Sequence, residues 1–520
     1  MKQKLPIGIQ SFAKLREESF AYVDKTSYIA ELMRGGQVYF LSRPRRFGKS
    51  LLLDTMHCAF SGKRELFNGL YLDTPASGWD WQKKNPVLRV DWSISPVRTP
   101  EQLTALISSM LDTWNKNWNL KPSQSISGKR FEELVQHIHR TTQSKPVILI
   151  DEYDKPILDT IENPAIALQM RDILKDFYSA LKPLDEHLRF VFLTGVSKFA
   201  KTGIFSGLNN LHDITITKEY SALCGYTQED LEKYFAEYLK DFDKEQVREW
   251  YNGYAWTGEA VYNPFDILLL FAHGVYKAHW FETGTPTFLV KTWKKQPRNP
   301  AEYDGMITGE EMIGSFDIEN LSTETLLFQA GYLTIKQTET IGGIVQYILG
   351  YPNLEVRSSL NRLLAMQISG NNNLAPVHRS IVEAIEKKNG ENLKNIVTSF
   401  LASIPHDWHR KNNIAEYEGY WASVIYTLFA ATGYDVIPED TTNCGRIDLT
   451  VRTETGIWIF EFKVKGIDKS GGKSPLAQLR EKNYAEKYRG RAGKNGAVLP
   501  VYEIGMVFDP ENRNIENWEE

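Results

Sequence analysis

One local pattern limits the fold of this chain more than any other. A short apolar run leads into a Gly-Lys-Ser turn and then into an amphipathic stretch. The run is Val38–Leu41, the turn is RPRRFGKS, and the amphipathic stretch begins at Leu51. A phosphate-binding loop has this order, because backbone N–H groups of its turn face phosphate oxygens, its lysine reaches the β- and γ-phosphates and its hydroxyl binds Mg²⁺. The predicted nucleotide-binding residues of the turn are Arg46, Phe47, Gly48, Lys49, Ser50 and Leu51.

The match to the usual phosphate-binding pattern is incomplete. Its first glycine is missing, because Arg43 stands five residues before Gly48. Ser50 occupies the position of the hydroxyl that binds Mg²⁺, so we predict it as a metal ligand. The short GKS match alone leaves a chance occurrence open.

The wider pattern of residues 1–220 supports the same interpretation, because short apolar runs alternate with amphipathic stretches. This alternation is typical of βαβ units on a parallel sheet and predicts an α/β fold with a P-loop NTPase sheet. The predicted strands are Val38–Leu41, Val87–Trp92, Val147–Ile150, Arg189–Leu193 and Asp213–Thr217. The predicted helices are Leu51–Phe60, Glu101–Asn115, Gly128–Thr141 and Pro164–Leu181.

Two carboxylates follow the third of these strands. Val147–Ile150 runs directly into Asp151 and Glu152, as a Walker B segment requires. There Asp151 would hold Mg²⁺ through water and Glu152 would polarise the attacking water. Thr194 and Ser197 follow the next strand and are expected at the same sheet edge, where they would sense the γ-phosphate. The alternatives are a core strand with a solvated acidic end, and hydroxyls that cap a turn.

Composition limits the class of protein further. The 520 residues include 61 Lys and Arg against 65 Asp and Glu, and 42% are hydrophobic, which excludes a disordered chain and a histone-like basic binder. Cys58, Cys224 and Cys444 are too far apart for a CxxC pair. With no stretch long enough for a signal peptide or a membrane span, we expect a cytoplasmic protein with no membrane contact.

A second set of polar residues lies near the C-terminus. Asp448 lies in one strand-like segment, Arg446–Arg452, and Glu461 and Lys463 lie in the next, Ile457–Val464. Because strand side chains alternate, Glu461 and Lys463 point to one face, which Asp448 can share. Two carboxylates that bind Mg²⁺ (or Mn²⁺) and one positive group suit metal-assisted phosphodiester hydrolysis. Glu418, in the predicted helix Glu416–Thr432, would add a carboxylate; the alternative is an exposed hairpin with a Glu–Lys pair.

Several motifs together resemble bacterial AAA-ATPase-like proteins that carry a C-terminal PD-(D/E)XK nuclease-like domain. They are PIGIQSFAKLREESFAYVDKT, LSRPRRFGKSLLLDTM, ILIDEYDKPI, FLTGVSKF, WYNGYAW and VYNPFDIL. The resemblance covers nearly the whole chain. It implies that ATP binds the loop although Arg43 replaces glycine, and that the C-terminal region has a restriction-endonuclease-like α/β fold. It also implies that Gln478, in PLAQLREKNY, orients water or phosphate at the nuclease site.

The resemblance and the changes in sequence texture predict four regions. They are an ATPase domain at 1–220, a helical, winged-helix-like lid at 221–300, a mainly helical connecting region at 301–400 and a nuclease-like domain at 401–520. We further predict a charged helix from Pro475 to Tyr488.

The segment 463–494 is the predicted nucleic-acid contact. It has ten basic and three acidic residues, a local charge of +7 in a chain of net charge −4. Phosphate backbones attract such a strip without sequence preference, so DNA is the expected partner; the alternative is a solvated helix face. A nucleotide-switched binding module and an ATPase acting on a protein partner stay open as functions. A homo-oligomer is also open, in which a neighbouring subunit's arginine completes the ATP site, as are Arg43, Arg45 and Arg46 serving that site in cis.

Overall fold

The computed structural model describes residues 2–198, 204, 210–284, 293, 299–314, 318, 322–405, 418–467, 472–493 and 496–520. The chain forms two compact units. The first comprises Met1–Lys295 and Met306–Asn353, and the second comprises Gln296–Gly305 and Leu354–Glu520. Among the described residues, no helix combines the length and the apolar character that crossing a membrane requires.

A five-stranded parallel sheet is the centre of the first unit. Its strands are β1 (Val38–Ser42), β2 (Val87–Asp91), β3 (Val147–Asp151), β4 (Phe190–Gly195) and β5 (His212–Asp213), in the order β2-β3-β4-β1-β5. Strands β1, β3 and β4 are buried along their whole length, which explains their unbroken apolar sequences. All parallel strands end at one edge, so the Gly-Lys-Ser turn after β1 and Asp151 at the end of β3 share that edge.

The fifth strand is shorter than predicted. The predicted strand Asp213–Thr217 is wrong beyond Asp213, because the chain turns there. The Thr215 N–H donates to Asp213 Oδ1 at 2.9 Å, and the Thr217 N–H donates to the Ile214 carbonyl at 3.3 Å. These local bonds replace the sheet bonds that a longer strand would need.

Helices connect and cover the strands of this sheet. Their bounds are Phe12–Glu17, Thr26–Gly35, Lys49–Phe60, Pro100–Asn117, Ser127–Thr142, Lys155–Leu158 and Pro164–Ser179. Further along the first unit come Gln228–Tyr234, Ala236–Leu239, Lys244–Tyr251, Pro264–His273, His279–Gly284, Glu310–Gly314 and Thr323–Ala330. Tyr251, Tyr254 and Trp256 are buried, so the aromatic side chains of WYNGYAW contribute to a core.

A small antiparallel sheet in the first unit was not predicted. Its strands are β6 (Met306–Thr308), β7 (Thr334–Ile341) and β8 (Ile344–Gly350), in the order β6-β8-β7. The β7–β8 turn uses Gly342 and Gly343 with φ of 60° and 82°, as a two-residue hairpin with the right-handed strand twist requires. Two runs of strand-forming residues joined by Gly-Gly could therefore have predicted this hairpin. We had expected the region to be mainly helical.

The second unit contains a mixed sheet with helices beside it. Its strands are β9 (Asp435–Thr442), β10 (Gly445–Arg452), β11 (Ile457–Val464), β12 (Val501–Asp509) and β13 (Asn514–Glu519), in the order β13-β12-β11-β10-β9. Among the described strands of this sheet, β11 and β12 are parallel neighbours and the other neighbouring pairs are antiparallel. The helices are Leu354–Ser369, Ala375–Glu386, Gly390–Ala402, Glu418–Ala430 and Pro475–Glu481.

Two helix predictions in this unit need correction. The predicted helix Glu416–Thr432 ends at Ala430, and residues 416 and 417 lie outside the described part of the chain. It packs on the sheet through Trp421, whose ring stacks on Phe508 at 4.9 Å. The predicted helix from Pro475 to Tyr488 stops at Glu481, because Asn483 has a left-handed φ of 50°, and a separate 3₁₀ turn follows at Tyr484–Lys487.

Candidate functional site

The turn after β1 is held in shape by bonds between its own residues. Gly48 has a φ of 93°, a left-handed conformation that favours glycine, and it precedes the helix Lys49–Phe60. The Lys49 side chain is buried, and its Nζ donates to the backbone carbonyls of Arg43 at 2.9 Å and Pro44 at 3.0 Å. The ammonium group of Lys49 is therefore held by the carbonyls of the loop itself.

Arg43, at the position of the missing glycine, points into the protein. Its guanidinium is buried and donates to the carbonyls of Ser42 at 2.9 Å, Thr215 at 2.7 Å and Tyr220 at 3.0 Å. It also lies 3.9 Å from the centre of the Trp256 ring, and burial lowers its pKa to about 10. Arg43 is thus a structural anchor of the loop and does not serve the nucleotide in cis, whereas Arg45 and Arg46 line the cavity described next.

A cavity of about 390 Å³ lies over the turn. Its lining includes Arg45, Arg46, Gly48, Lys49, Ser50, Leu51 and Glu152. Its lining also includes Gly8, Ile9, Tyr226 and Phe265. Phe47, predicted with the nucleotide-binding residues, is absent from this lining; its buried ring packs edge-on against Tyr254 at 4.8 Å. The other residues predicted in the turn all line this cavity.

Asp151 and Thr194 meet at the carboxyl ends of β3 and β4. Thr194 Oγ1 donates to Asp151 Oδ1 at 2.7 Å, and both side chains are buried. Ser197 is buried too, and its carbonyl accepts a bond from the Tyr153 hydroxyl at 2.9 Å. Glu152 has a left-handed φ of 49° and lies half-buried at the cavity.

Asp154 is a residue that the sequence analysis did not single out. It is buried, and its carboxylate accepts the backbone N–H of Ser197 at 2.6 Å and that of Val196 at 3.0 Å. Burial raises its pKa to about 6, against the opposing effect of the Ser197 N–H. Asp154 therefore fixes the chain after β4 to the segment after β3. Its position three residues after Asp151 is the sequence feature that could have identified it.

The second site is built on β10 and β11. Asp448 Oδ2 accepts the backbone N–H of Phe462 at 2.6 Å, which fixes this carboxylate beside β11. Glu461 is buried on β11, and its Oε1 accepts a bond from Gln478 Nε2. Lys463, two residues along the same strand, donates from Nζ to the Lys473 carbonyl. The predicted residues Asp448, Glu461 and Gln478 are thus close together.

The two carboxylates are in an environment that disfavours negative charge. Burial raises the pKa of Asp448, and the charges of Glu418 and Glu439 raise it further, while the Phe462 N–H lowers it. Burial also raises the pKa of Glu461, followed by the charges of Asp448 and Glu418. Glu418, at the exposed start of its helix, therefore acts electrostatically on both carboxylates.

Both candidate sites contain side-chain oxygen atoms that could bind a metal ion. Glu461 Oε2 is buried and has no hydrogen-bond partner among the described residues. Mg²⁺ commonly binds one or two carboxylates and keeps several waters, so Asp448 and Glu461 fit such an ion. Ser50 and Asp151 offer a hydroxyl and a carboxylate at the first site. Within the part of the chain that the structure describes, no three His, Cys, Asp or Glu residues converge as a ready-made metal cluster.

Several basic residues of the segment 463–494 form ion pairs with acids. Lys465 pairs with Asp509 and Glu516, Lys473 with Glu481, Arg480 with Glu503 and Lys487 with Asp440. Most of these acids lie outside the segment, so the local charge of +7 overstates the charge available at the surface. Lys482, Arg489 and Arg491 are exposed. Asp468, Lys469 and Lys494 lie outside the described residues.

In comparisons with known proteins, the regions that hold the two candidate sites match two different families. A family model described as predicted AAA-ATPase matches residues 6–205, and a model of the PD-(D/E)XK nuclease superfamily matches residues 416–518. The chain is also similar to an "Uncharacterized protein in vnfD 5'region" of Azotobacter chroococcum mcd 1. The two are 45% identical over 518 residues, which are 99% of this chain and 98% of that protein.

Proposed function

Because the chain belongs to the family of AAA-ATPase-like proteins with a C-terminal PD-(D/E)XK nuclease domain, we propose that it hydrolyses ATP and cleaves DNA. ATP turnover in the first unit would regulate a metal-dependent endonuclease in the second. The observation that carries the nuclease half is Glu461, which has a buried oxygen without a hydrogen-bond partner among the described residues and lies beside the half-buried Asp448. A cytoplasmic location is part of the proposal and agrees with three free cysteines.

In the ATPase half, each residue has a role that follows from its position. The N–H groups around Gly48 and the Lys49 ammonium would bind the β- and γ-phosphates, where electrostatic stabilisation dominates catalysis. Glu152 would orient the attacking water. Thr194 holds Asp151 in place through its 2.7 Å bond. Mg²⁺, bound by Ser50 and by Asp151 through water, would neutralise phosphate charge.

In the nuclease half, a bound Mg²⁺ or Mn²⁺ would supply an activated water and stabilise charge on the scissile phosphate. Asp448 and Glu461 would hold that ion in their ionised forms. Gln478 donates to Glu461 Oε1, which directs the other oxygen of this carboxylate, Oε2, to a ligand. Lys463 would face the phosphate after giving up its bond to the Lys473 carbonyl.

A cleavage assay tests this function. Supercoiled plasmid and single-stranded DNA are incubated with the full chain in Mg²⁺ or Mn²⁺, with and without ATP. We expect cleavage by the native chain, none by Asp448→Ala, and unchanged cleavage by Glu391→Gln, a control at an exposed helix position in the same unit. Cleavage that persists in Asp448→Ala would exclude the proposed site. A rate that ATP does not change, with ATP hydrolysis intact, would exclude the regulatory link.

A second candidate is a nucleotide-switched module that binds nucleic acid or protein without cutting. It is favoured by the lack of a three-residue metal cluster among the described residues. The same assay separates the two functions, because the binding module would hydrolyse ATP and retain DNA in a gel shift but leave the plasmid supercoiled.

The arginine that completes the ATP site defines a further test. Arg45 and Arg46 line the cavity, so we propose that they act in cis. The ATPase rate per chain should then be independent of protein concentration. A rate that rises steeply with concentration would instead indicate a homo-oligomer in which a neighbouring chain contributes the arginine.

A further inference from the structure

A nuclease site needs cations that hold the DNA backbone, and several of the predicted ones already have partners within the protein. Lys465, Lys473, Arg480 and Lys487 each form an ion pair with a carboxylate, and Lys463 donates to a backbone carbonyl. Two carboxylates at the centre of the site would repel a phosphate. An additional cation close to Asp448 would therefore matter for substrate binding.

Arg446 is a cation close to Asp448. It lies two residues before Asp448 on β10, and side chains two residues apart on a strand share a face. Its side chain is 66% exposed. The buried Tyr484 hydroxyl lies against the backbone of Gly445 and Arg446, which fixes the start of this strand. Arg446 thus combines a fixed backbone with a guanidinium that solvent can reach, on the face that carries the catalytic carboxylate.

Glu439 holds this guanidinium in the DNA-free chain. Arg446 NH1 lies 3.2 Å from Glu439 Oε2, and the Glu439 side chain is 61% exposed. In the β9–β10 register, Ile447 faces Asp440 and Leu449 faces Pro438, so Glu439 lies opposite Asp448. Its φ of 47° is in the left-handed region, which residues other than glycine seldom adopt. An unusual backbone conformation therefore accompanies a further acid, Glu439, which lies beside the site and pairs with Arg446.

We propose that Arg446 binds a DNA phosphate next to the scissile bond, and that Glu439 holds Arg446 at the site until that phosphate displaces it. A guanidinium fork binds carboxylate and phosphate with the same geometry, so the exchange keeps the side chain in place. Exposed ion pairs contribute little stability, so a phosphate backbone can replace Glu439. This inference rests on the proposed nuclease function and names the residue that would hold its substrate.

The test measures DNA binding separately from cleavage. Binding of a short fluorescent duplex to the full chain is followed by anisotropy in Ca²⁺ and again in EDTA, from about 50 to 200 mM salt. We expect Arg446→Gln to weaken binding about 10-fold and to reduce the slope of log K against log salt by about 0.9, the value for one phosphate contact. Arg446→Lys should retain most of the slope, because it keeps the charge.

A double-mutant cycle tests the role of Glu439. Glu439→Gln should tighten DNA binding about 3-fold in the native background, because the competing carboxylate is gone, and should have no effect in Arg446→Gln. Arg379→Gln and Glu383→Gln provide the matched control, since these residues form an exposed helix ion pair in the same unit. Both controls should leave the affinity unchanged. Thermal unfolding of each variant verifies that the fold is intact.

Three outcomes would overturn the inference in distinguishable ways. Native-like affinity and salt slope in Arg446→Gln would show that Arg446 does not contact phosphate. Equal tightening by Glu439→Gln in both backgrounds would show that Glu439 repels DNA without holding Arg446. Failure of the native chain to bind the duplex in either buffer would contradict the proposed function itself, before any variant is compared.

Discussion

The two candidate sites differ in how the protein treats their charged groups when no ligand is bound. In the first unit, the Lys49 ammonium has two backbone carbonyls and Asp151 has the Thr194 hydroxyl. In the second unit, Glu461 has an oxygen without a hydrogen-bond partner among the described residues, and burial raises the pKa of both Glu461 and Asp448. The phosphate loop is therefore preorganised by its own bonds, whereas the carboxylate pair depends on a proton or a cation.

The largest expected effect concerns the preorganised loop. Lys49→Ala should lower the ATPase rate by at least about 100-fold, because it removes the positive charge that would stabilise the transferred phosphate. Hydrolysis of ATP by purified variants gives the rate, and fluorescent-nucleotide titration gives the affinity. Lys63→Ala, an exposed lysine just beyond the end of the same helix, is the control. Retained hydrolysis in Lys49→Ala would mean that the cavity over this loop is not the ATPase site.

Arg43 separates structural from ligand-binding roles within the same loop. Arg43→Ala should destabilise the first unit by about 3 kcal/mol, because it leaves the carbonyls of Thr215 and Tyr220 without their buried donor. Arg45→Ala, which removes a half-buried residue at the cavity, should change stability by less than about 0.5 kcal/mol and weaken ATP binding instead. Urea unfolding and nucleotide titration measure the two effects. Equal effects of both variants on ATP affinity would contradict the anchor role of Arg43.

These residues also show what the sequence can and cannot predict. Local patterns were sufficient to predict the parallel sheet, the Gly-Lys-Ser turn and the placement of Asp448 beside Glu461. Strand burial and side-chain alternation are local properties of the sequence. The direction of Arg43 depends on Thr215, Tyr220 and Trp256, which are distant in sequence. No local pattern encodes those contacts.

The basic segment shows the same limit for charge. Its composition gave +7, but most of the acids that neutralise it lie elsewhere, on neighbouring strands such as β12. Glu439, which pairs with Arg446, has a positive φ. The surrounding sequence IPED contains no glycine or other signal that would have predicted this conformation. Residues that act through long-range contacts therefore required the structure.

A smaller effect would sharpen the contrast between the sites. Without a metal ion, the pKa of Glu461 is higher in the folded second unit than in the unfolded chain. Above about pH 4, the ordinary range for the pKa of a carboxyl group, the folded unit therefore binds more protons than the unfolded chain. Its stability should therefore fall as pH rises through neutrality. Glu461→Gln removes one such group and should raise the melting temperature at pH 8 by a few degrees, roughly 2–4 °C for each kcal/mol.

The pH dependence provides the control for this prediction. The advantage of Glu461→Gln should shrink as the pH approaches 5, where the native carboxyl keeps its proton in the fold. Mn²⁺ should stabilise the native chain and have less effect on the variant, because a bound cation favours the charged carboxylates. A melting-temperature difference that is constant with pH would refute the environment that we assign to Glu461.

The smallest effect compares two basic residues two positions apart in sequence. Arg489 is exposed, whereas Lys487 pairs with the buried Asp440 and donates to the Thr441 carbonyl at 2.9 Å. Arg489→Gln should weaken DNA binding about 3-fold and lower the salt slope by up to about 0.9, without changing stability. Lys487→Gln should leave the slope unchanged and destabilise the second unit by about 1–3 kcal/mol, because it leaves a buried carboxylate without its cation. If instead both variants lower the salt slope equally, the ion pair with Asp440 opens when DNA binds, and the composition of the segment would be the better guide to its function.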